Sequence, residues 1–205
     1  MQQEHRYYII NKPYNMVSQF VSSHQVNLLG QLDFNFPEGT HAVGRLDNHS
    51  EGLLILTTNK KVTRLLFLAD TPHKRTYLVQ VNNVLSKENL QLLQTGISIR
   101  IKEGVNYLTP PCDVSIVENP GSIYEDTATL PKYGPHTWLL ITLTEGKFHQ
   151  VRKMMGAVHH RCKRLIRVSI EDLELGTLQP GGVKEIEEPE FFKLLKINMP
   201  AHAGE

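Results

Sequence analysis

The chain is poor in cysteine. Cys112 and Cys162 are its only two, far apart and in no CxxC pair. This argues against a disulfide framework and predicts a reduced, cytoplasmic protein. No apolar run approaches the roughly 18 residues that a membrane span needs. The opening MQQEHRYYII has no cationic stretch followed by an apolar one, so no secretory signal is visible. Nothing resembling GxxxxGKS, GxxxxGKT or GxGxxG occurs, which leaves no nucleotide-cofactor loop, and no GxSxG elbow is present. His149, His159, His160 and Cys162 cluster in sequence, but neighbouring helix positions point about 100° apart. Neither HxxxH nor CxxC spacing appears, so no metal site is expected. Internal repeats, low-complexity tracts and long linkers are also missing.

What is present is one chain of 205 residues, enough for a single sizeable core or one domain with two lobes. Its net charge of +1 hides an asymmetry. Between Lys147 and Ile170 lie Lys147, Arg152, Lys153, Arg161, Lys163, Arg164 and Arg167, with no acid among them. The next stretch reverses sign, with Glu171, Asp172, Glu174, Glu185, Glu187, Glu188 and Glu190. A concentrated basic surface suits a phosphate backbone, whose counterions it releases. Taken alone, a charge run is more often a solvated helix face.

Periodicity places the elements. Tyr7–Asn11 reads as a strand ending at Lys12-Pro13, and Gly52–Thr58 as a buried strand. Asn59 can cap a helix bearing Val62, Leu65, Leu66 and Leu68. TYLVQVN, Thr76–Asn82, is β-rich, and Ser86–Thr95 is a short helix capped by Ser86 and stopped by Gly96. Short strands follow near Ile97–Ile101 and Cys112–Val117. Asn119–His136, with three prolines and two glycines, is a long loop. Trp138–Thr144 is a strong strand. Phe148, Val151, Met155 and Val158 mark one helix face, Leu165–Ile170 a strand, Gln179–Gly182 a turn and Glu187–Leu195 a last helix. Strands outnumber helices without regular βαβ alternation, which predicts α+β with a mainly antiparallel sheet.

Three places can carry chemistry. HAVGRLDNHSEGLLILTTN, His41–Asn59, holds one carboxylate, Asp47, in a polar loop between Gly44 and Gly52, with Arg45 two residues before it. Gly44 permits an unusual backbone angle and Gly52 a close approach. An ionised loop aspartate can serve as nucleophile or base, although a loop Asp closing its own turn is the commoner case. In EGKFHQVRKM, Glu145–Met154, Arg152 lies beside the apolar stripe, where a half-buried guanidinium would need a carboxylate and a snorkelling one would not. In HKRTYLV, Tyr77 opens a strand after Lys74 and Arg75. A ring beside two cations suits a stacked nucleobase, though a lone strand tyrosine is more often core.

Taken in order, INKPYNMVSQF, AVGRLDNHSEGLLILTTN, HKRTYLVQV, LTEGKFHQVRKM and RLIRVSIEDLELGTLQPGGVKEI resemble the pseudouridine synthases of the ribosomal, RsuA-like branch. The likeness spans about Tyr7 to Ile186. WLLITLTEGKFHQVRKM and the compact size look most like the RluE type of large-subunit rRNA enzyme. The resemblance implies an α+β pseudouridine synthase fold in two lobes with the active-site cleft between them. Residues 1–205 form a single catalytic domain, with its core at about 7–197 and without the N-terminal S4-like module of many relatives. The aspartate of GRLD maps onto Asp47 as the catalytic acid, the family tyrosine onto Tyr77, and the arginine that pairs with the aspartate onto Arg152. Arg45 would help position the RNA, and Leu165 would pack against the target base. Lys74, Arg75, Lys153, Arg164 and Arg167 would contact RNA.

The usual lysine two residues before the tyrosine is Arg75 here. KFHQVRK stands where RNRQVRR is often seen, so Phe148 and His149 are places where RNA contacts would differ. The implied activity converts a uridine, in 23S or other large-subunit rRNA, to pseudouridine, through attack of Asp47 on C1′ or removal of a C2′ proton. As an isomerisation it calls for no cofactor, metal or ATP. The partner is RNA, with no membrane, and the chain is expected to be a monomer. The alternative is a non-catalytic RNA-binding or ribosome-assembly factor on the same scaffold. A glycoside-cleaving enzyme would need a second carboxylate, for which Glu51 is the nearby candidate in sequence.

Overall fold

Apolar β-formers and turn residues alternate along the chain, and the computed structural model, which describes residues 4–67, 71–129 and 134–198, follows them. Strand β1 (Tyr7–Lys12) precedes a long irregular segment, then β2 (His41–Val43), β3 (Glu51–Thr57) and helix α1 (Val62–Phe67). Next come β4 (Arg75–Asn82), α2 (Lys87–Thr95), β5 (Ser98–Arg100), β6 (Asn106–Leu108) and β7 (Asp113–Ile116). The last part holds β8 (His136–Leu143), α3 (Gln150–Ala157), β9 (Cys162–Ile170), β10 (Leu173–Glu174), β11 (Val183–Ile186) and α4 (Glu188–Leu194).

Nine strands form one sheet in the order β11-β1-β3-β9-β4-β8-β7, with β2 beside β3 and β10 beside β9. Every pairing in it is antiparallel except β3 with β9. That parallel seam is short, Glu51 facing Ile166 and Gly52 facing Arg167. It joins β11-β1-β3 on one side to β9-β4-β8-β7 on the other. The α+β, mainly antiparallel reading holds.

β1 and β3 are buried along their whole length, as expected of strands covered on both faces. One face packs Tyr7, Ile9, Leu53 and Ile55 against Val62 and Leu66 of α1 and Phe191 and Phe192 of α4. The other packs Tyr8, Ile10, Leu54 and Leu56 against Leu29 and Leu46. Across the seam, Val79, Val81, Leu139 and Ile141 meet Met154 and Met155 of α3 and Leu93 of α2.

The helix signals act as read. The Asn59 side chain accepts from the Lys61 amide at 3.0 Å. Ser86 Oγ accepts from the Asn89 amide, and Gly96 closes α2 at φ 109°. Leu68 lies outside the described residues. One assignment needs correction: Phe148 precedes α3 instead of joining its apolar face, and is 72% exposed. The loop of 119–136 contains short 3-10 turns at Pro120–Ser122 and Glu125–Thr129, and its last residue already belongs to β8.

Candidate active site

The turn carrying Asp47 links β2 to β3 and ends at the parallel seam. Its two glycines are required by space. Gly44 has φ 65°, and a β-carbon there would lie 2.5 Å from the Phe67 ring. Gly52 has φ 94°, and a β-carbon would meet the Arg167 carbonyl oxygen at 2.3 Å. Only glycine lets β3 approach β9 this closely. The Ser50 amide donates to the Asp47 carbonyl at 3.0 Å, closing a turn over 47–50.

Four side chains hold this loop. Buried Ser18 accepts from the Leu46 amide at 3.0 Å and donates to the Leu46 carbonyl at 2.8 Å. Lys12, wholly buried at the end of β1, donates to the carbonyls of Pro13 (2.9 Å), Met16 (2.6 Å) and Asn48 (3.4 Å). Burial pulls its pKa down to about 8, and Arg167 adds to this, while Glu51 and Asp47 oppose it. Arg167 of β9 donates to the carbonyls of Leu53 at 2.8 Å and Gly44 at 2.6 Å. Arg152 of α3 donates to the His49 carbonyl at 2.7 Å and to Ser50 Oγ at 3.3 Å.

Asp47 itself keeps 36% of its side chain exposed, and its Oδ1 lies 3.3 Å from His149 Nε2. It opens into a cleft of about 900 Å³ lined by both sides of the sheet. Opposite it, the register sets Tyr77 against Arg167 and Val79 against Leu165 on adjoining strands. Tyr77, half-buried, lines the cleft with Leu165, Arg45 and Arg75. Arg75 donates to the Thr144 carbonyl at 3.1 Å and lies 5.2 Å from the Phe67 ring centre. Burial lowers the pKa of Arg167, and the neighbouring Tyr77 hydroxyl opposes that shift. The arrangement presents an aromatic face, an apolar wall, the cations Arg45 and Arg75 and the Asp47 carboxylate around one space.

The structure therefore brings together Asp47, Tyr77, Leu165, Arg45 and Arg75, and departs from expectation elsewhere. Arg152 makes no ion pair with Asp47; its guanidinium grips the loop two and three residues further on. Arg164, expected to contact RNA, does not face the cleft. It is buried and bidentate on Glu51 at 2.7 and 2.8 Å, with Asp126 at 2.6 Å. Burial works against its charge, but those carboxylates raise its pKa above the usual value. Glu51 is thereby committed, which removes it as a second acid in the cleft. Arg167 is also buried; it lines the cleft while its guanidinium holds the carbonyls of Leu53 and Gly44. Lys74 and Lys153 lie outside the cleft lining, Lys153 Nζ being 5.4 Å from the Phe148 ring centre.

Sequence reasoning missed Lys12, Ser18 and the contact of His149 with Asp47. A signal existed for the first: a lysine closing an apolar strand ahead of Pro13 has no evident solvent exit. No local pattern marks Ser18, whose partner is 28 residues away.

Residues 6–157 match the family model described as RNA pseudouridylate synthase. The chain belongs to the RNA pseudouridine synthase family. A ribosomal large subunit pseudouridine synthase E of Vibrio parahaemolyticus is 35% identical over 187 residues, covering 90% of this chain and 75% of the relative. A protein of the same name from Xanthomonas axonopodis is 36% identical over 176 residues, covering 84% and 89%. A crystal structure of a pseudouridylate synthase superposes with a TM-score of 0.75 at 25% identity, covering 93% of this chain and 74% of that one. Human RNA pseudouridylate synthase domain containing 1 shares the fold, with a TM-score of 0.55 at 16% identity, covering 92% and 82%.

Proposed function

We propose that this chain isomerises a uridine of large-subunit ribosomal RNA to pseudouridine, with Asp47 as the catalytic carboxylate. The names carried by its relatives support the RNA class. One observation supports the residue. Among the described residues the cleft is lined by two carboxylates, Asp47 and Glu145. Glu145 has both oxygens engaged, by Tyr107 at 2.5 Å and Gln150 at 2.6 Å. Asp47 faces the space, with His149 Nε2 3.3 Å from its Oδ1.

The target base must leave its stack, which costs a few kcal/mol. Stacking on Tyr77 would return about 1–3 kcal/mol, Leu165 would wall the base, and Arg45 and Arg75 would take phosphates. Asp47 then has two available roles. It can attack C1′, forming a ribosyl ester as the C1′–N1 bond breaks, or it can take a proton from C2′ as the uracil departs. In the first route the turned uracil attacks C1′ through C5 and the ester C–O bond breaks; in the second, C5 bonds to C1′ and Asp47 returns the proton to C2′. In both, the C5 proton is lost to solvent and N1 takes one up. No atom is gained overall. Arg152 acts by fixing the loop and not by pairing with the carboxylate. The same reading has residues 7–197 working as one catalytic domain, as a monomer, in the cytoplasm.

Pseudouridine mapping of ribosomal RNA from cells with and without the gene tests this. A large-subunit position that loses pseudouridine without the gene is expected. Identical maps would overturn the proposal.

A further inference from the structure

Residues 145–149 carry the chain from β8 to α3 across the mouth of the cleft. His149 ends this turn at φ 55°, in the left-handed region that a side chain disfavours. Its side chain makes no capping hydrogen bond to α3. The strained backbone is therefore not explained as a helix cap. Instead it aims the imidazole at the loop, with Nε2 3.3 Å from Asp47 Oδ1. The Phe148 ring stacks on the imidazole at 3.9 Å and 17°, fixing its plane at the expense of leaving Phe148 largely exposed.

Three of the neighbouring cations are directed away from Asp47. Arg152 is directed to His49 and Ser50, Arg75 to the Thr144 carbonyl, and Arg167 to the carbonyls of Leu53 and Gly44. Glu145 is held by Tyr107 and Gln150. Arg45 and Lys147 also line the cleft.

We propose that His149 is a positioning residue for the reaction. It holds Oδ1 of Asp47 through a ring nitrogen and leaves Oδ2 for the nucleotide. This rests on the role assigned to Asp47 above. An imidazole nitrogen that carries hydrogen is attracted to a carboxylate oxygen. A close contact of this kind restricts the orientation of the carboxylate without touching substrate, and misorientation at a reacting centre is felt in rate more than in binding.

The test uses the full chain, an unmodified large-subunit rRNA transcript and single-turnover kinetics. His149→Gly suits the left-handed backbone but removes the imidazole, so it separates the side chain from the turn. His149→Gln restores an N–H donor. His149→Gly is expected to lower the rate at saturating RNA about tenfold or more, with RNA affinity within about twofold and an unchanged melting temperature. His149→Gln is expected to recover most of the rate. A wild-type rate for His149→Gly, a loss confined to RNA affinity, or an equal loss in the Gln and Gly variants each overturns the inference. An inactive wild type would sink the assignment of Asp47 and this inference with it. An active wild type matched by His149→Gly sinks the inference alone.

Discussion

Replacing Arg164 with methionine would leave Glu51 without its cation at the start of β3. The Arg164 and Glu51 side chains are 9% and 8% exposed, so water cannot take over for the lost partner. Breaking one half of such a buried pair costs about 3–5 kcal/mol, because the remaining charge stays desolvated. Asp126, at 35% side-chain exposure, can rehydrate and adds little. For a chain of this size each kcal/mol moves the melting temperature by roughly 2–4 °C, so a fall of about 6–20 °C is expected. Adding Glu51→Gln to Arg164→Met should recover part of that loss, since it removes the orphaned charge; the recovery measures the coupling. RNA binding supplies a second readout. If Arg164 contacted a phosphate, the variant would lower the slope of log affinity against log salt by about one. The structure predicts an unchanged slope. A variant with wild-type melting temperature and a slope reduced by one would refute the reasoning.

Tyr77→Phe should keep most of the activity on an rRNA transcript, while Tyr77→Ala loses the stacking face; equal activity of the alanine variant and wild type would make Tyr77 a packing residue only. Gly52→Ala should cost at least about 1–3 kcal/mol in denaturant unfolding from backbone strain alone, with the clash against the Arg167 carbonyl added to it. Gly39→Ala, at φ 81° but with nothing within 4 Å, carries only the strain, so a smaller loss at Gly52 than at Gly39 would count against the seam geometry. Lys12 has a folded-state pKa near 8, below its unfolded value near 10.5. Its charge therefore penalises folding below pH 8, and the penalty is relieved as pH rises through the window from 8 to 10.5. Relative to Lys12→Met, the wild type should gain roughly 3 kcal/mol across that window; a flat or opposite difference in unfolding curves would contradict the buried, charged lysine.

Much of this was legible before any coordinates. Apolar or β-rich runs marked β1, β3, β4 and β8, and cap residues marked α2, because those signals are local. The pair of glycines around Asp47 was legible for the same reason: each reports a constraint on its own backbone. What escaped depends on distant neighbours. β2, β6 and β11 are three or four residues long, too short for period-two alternation to stand out. Arg164 and Arg167 flank Leu165 and Ile166 in β9, and a charge count cannot tell a solvated guanidinium from one buried on Glu51 or on carbonyls. Phe148 fell into the helical spacing of α3 although the left-handed turn at His149 breaks the period first. The contact between His149 and Asp47 joins residues about a hundred positions apart, and only the fold supplies it.

Asp47 is proposed to perform the isomerisation in this cleft. Asp47→Asn replaces one carboxylate oxygen by an amide at nearly constant shape. Measured side by side on an unmodified large-subunit rRNA transcript, the purified wild type should form pseudouridine. The Asp47→Asn protein should bind the same RNA with comparable affinity and form none. Pseudouridine produced by the Asp47→Asn protein at a rate near wild type would contradict the account.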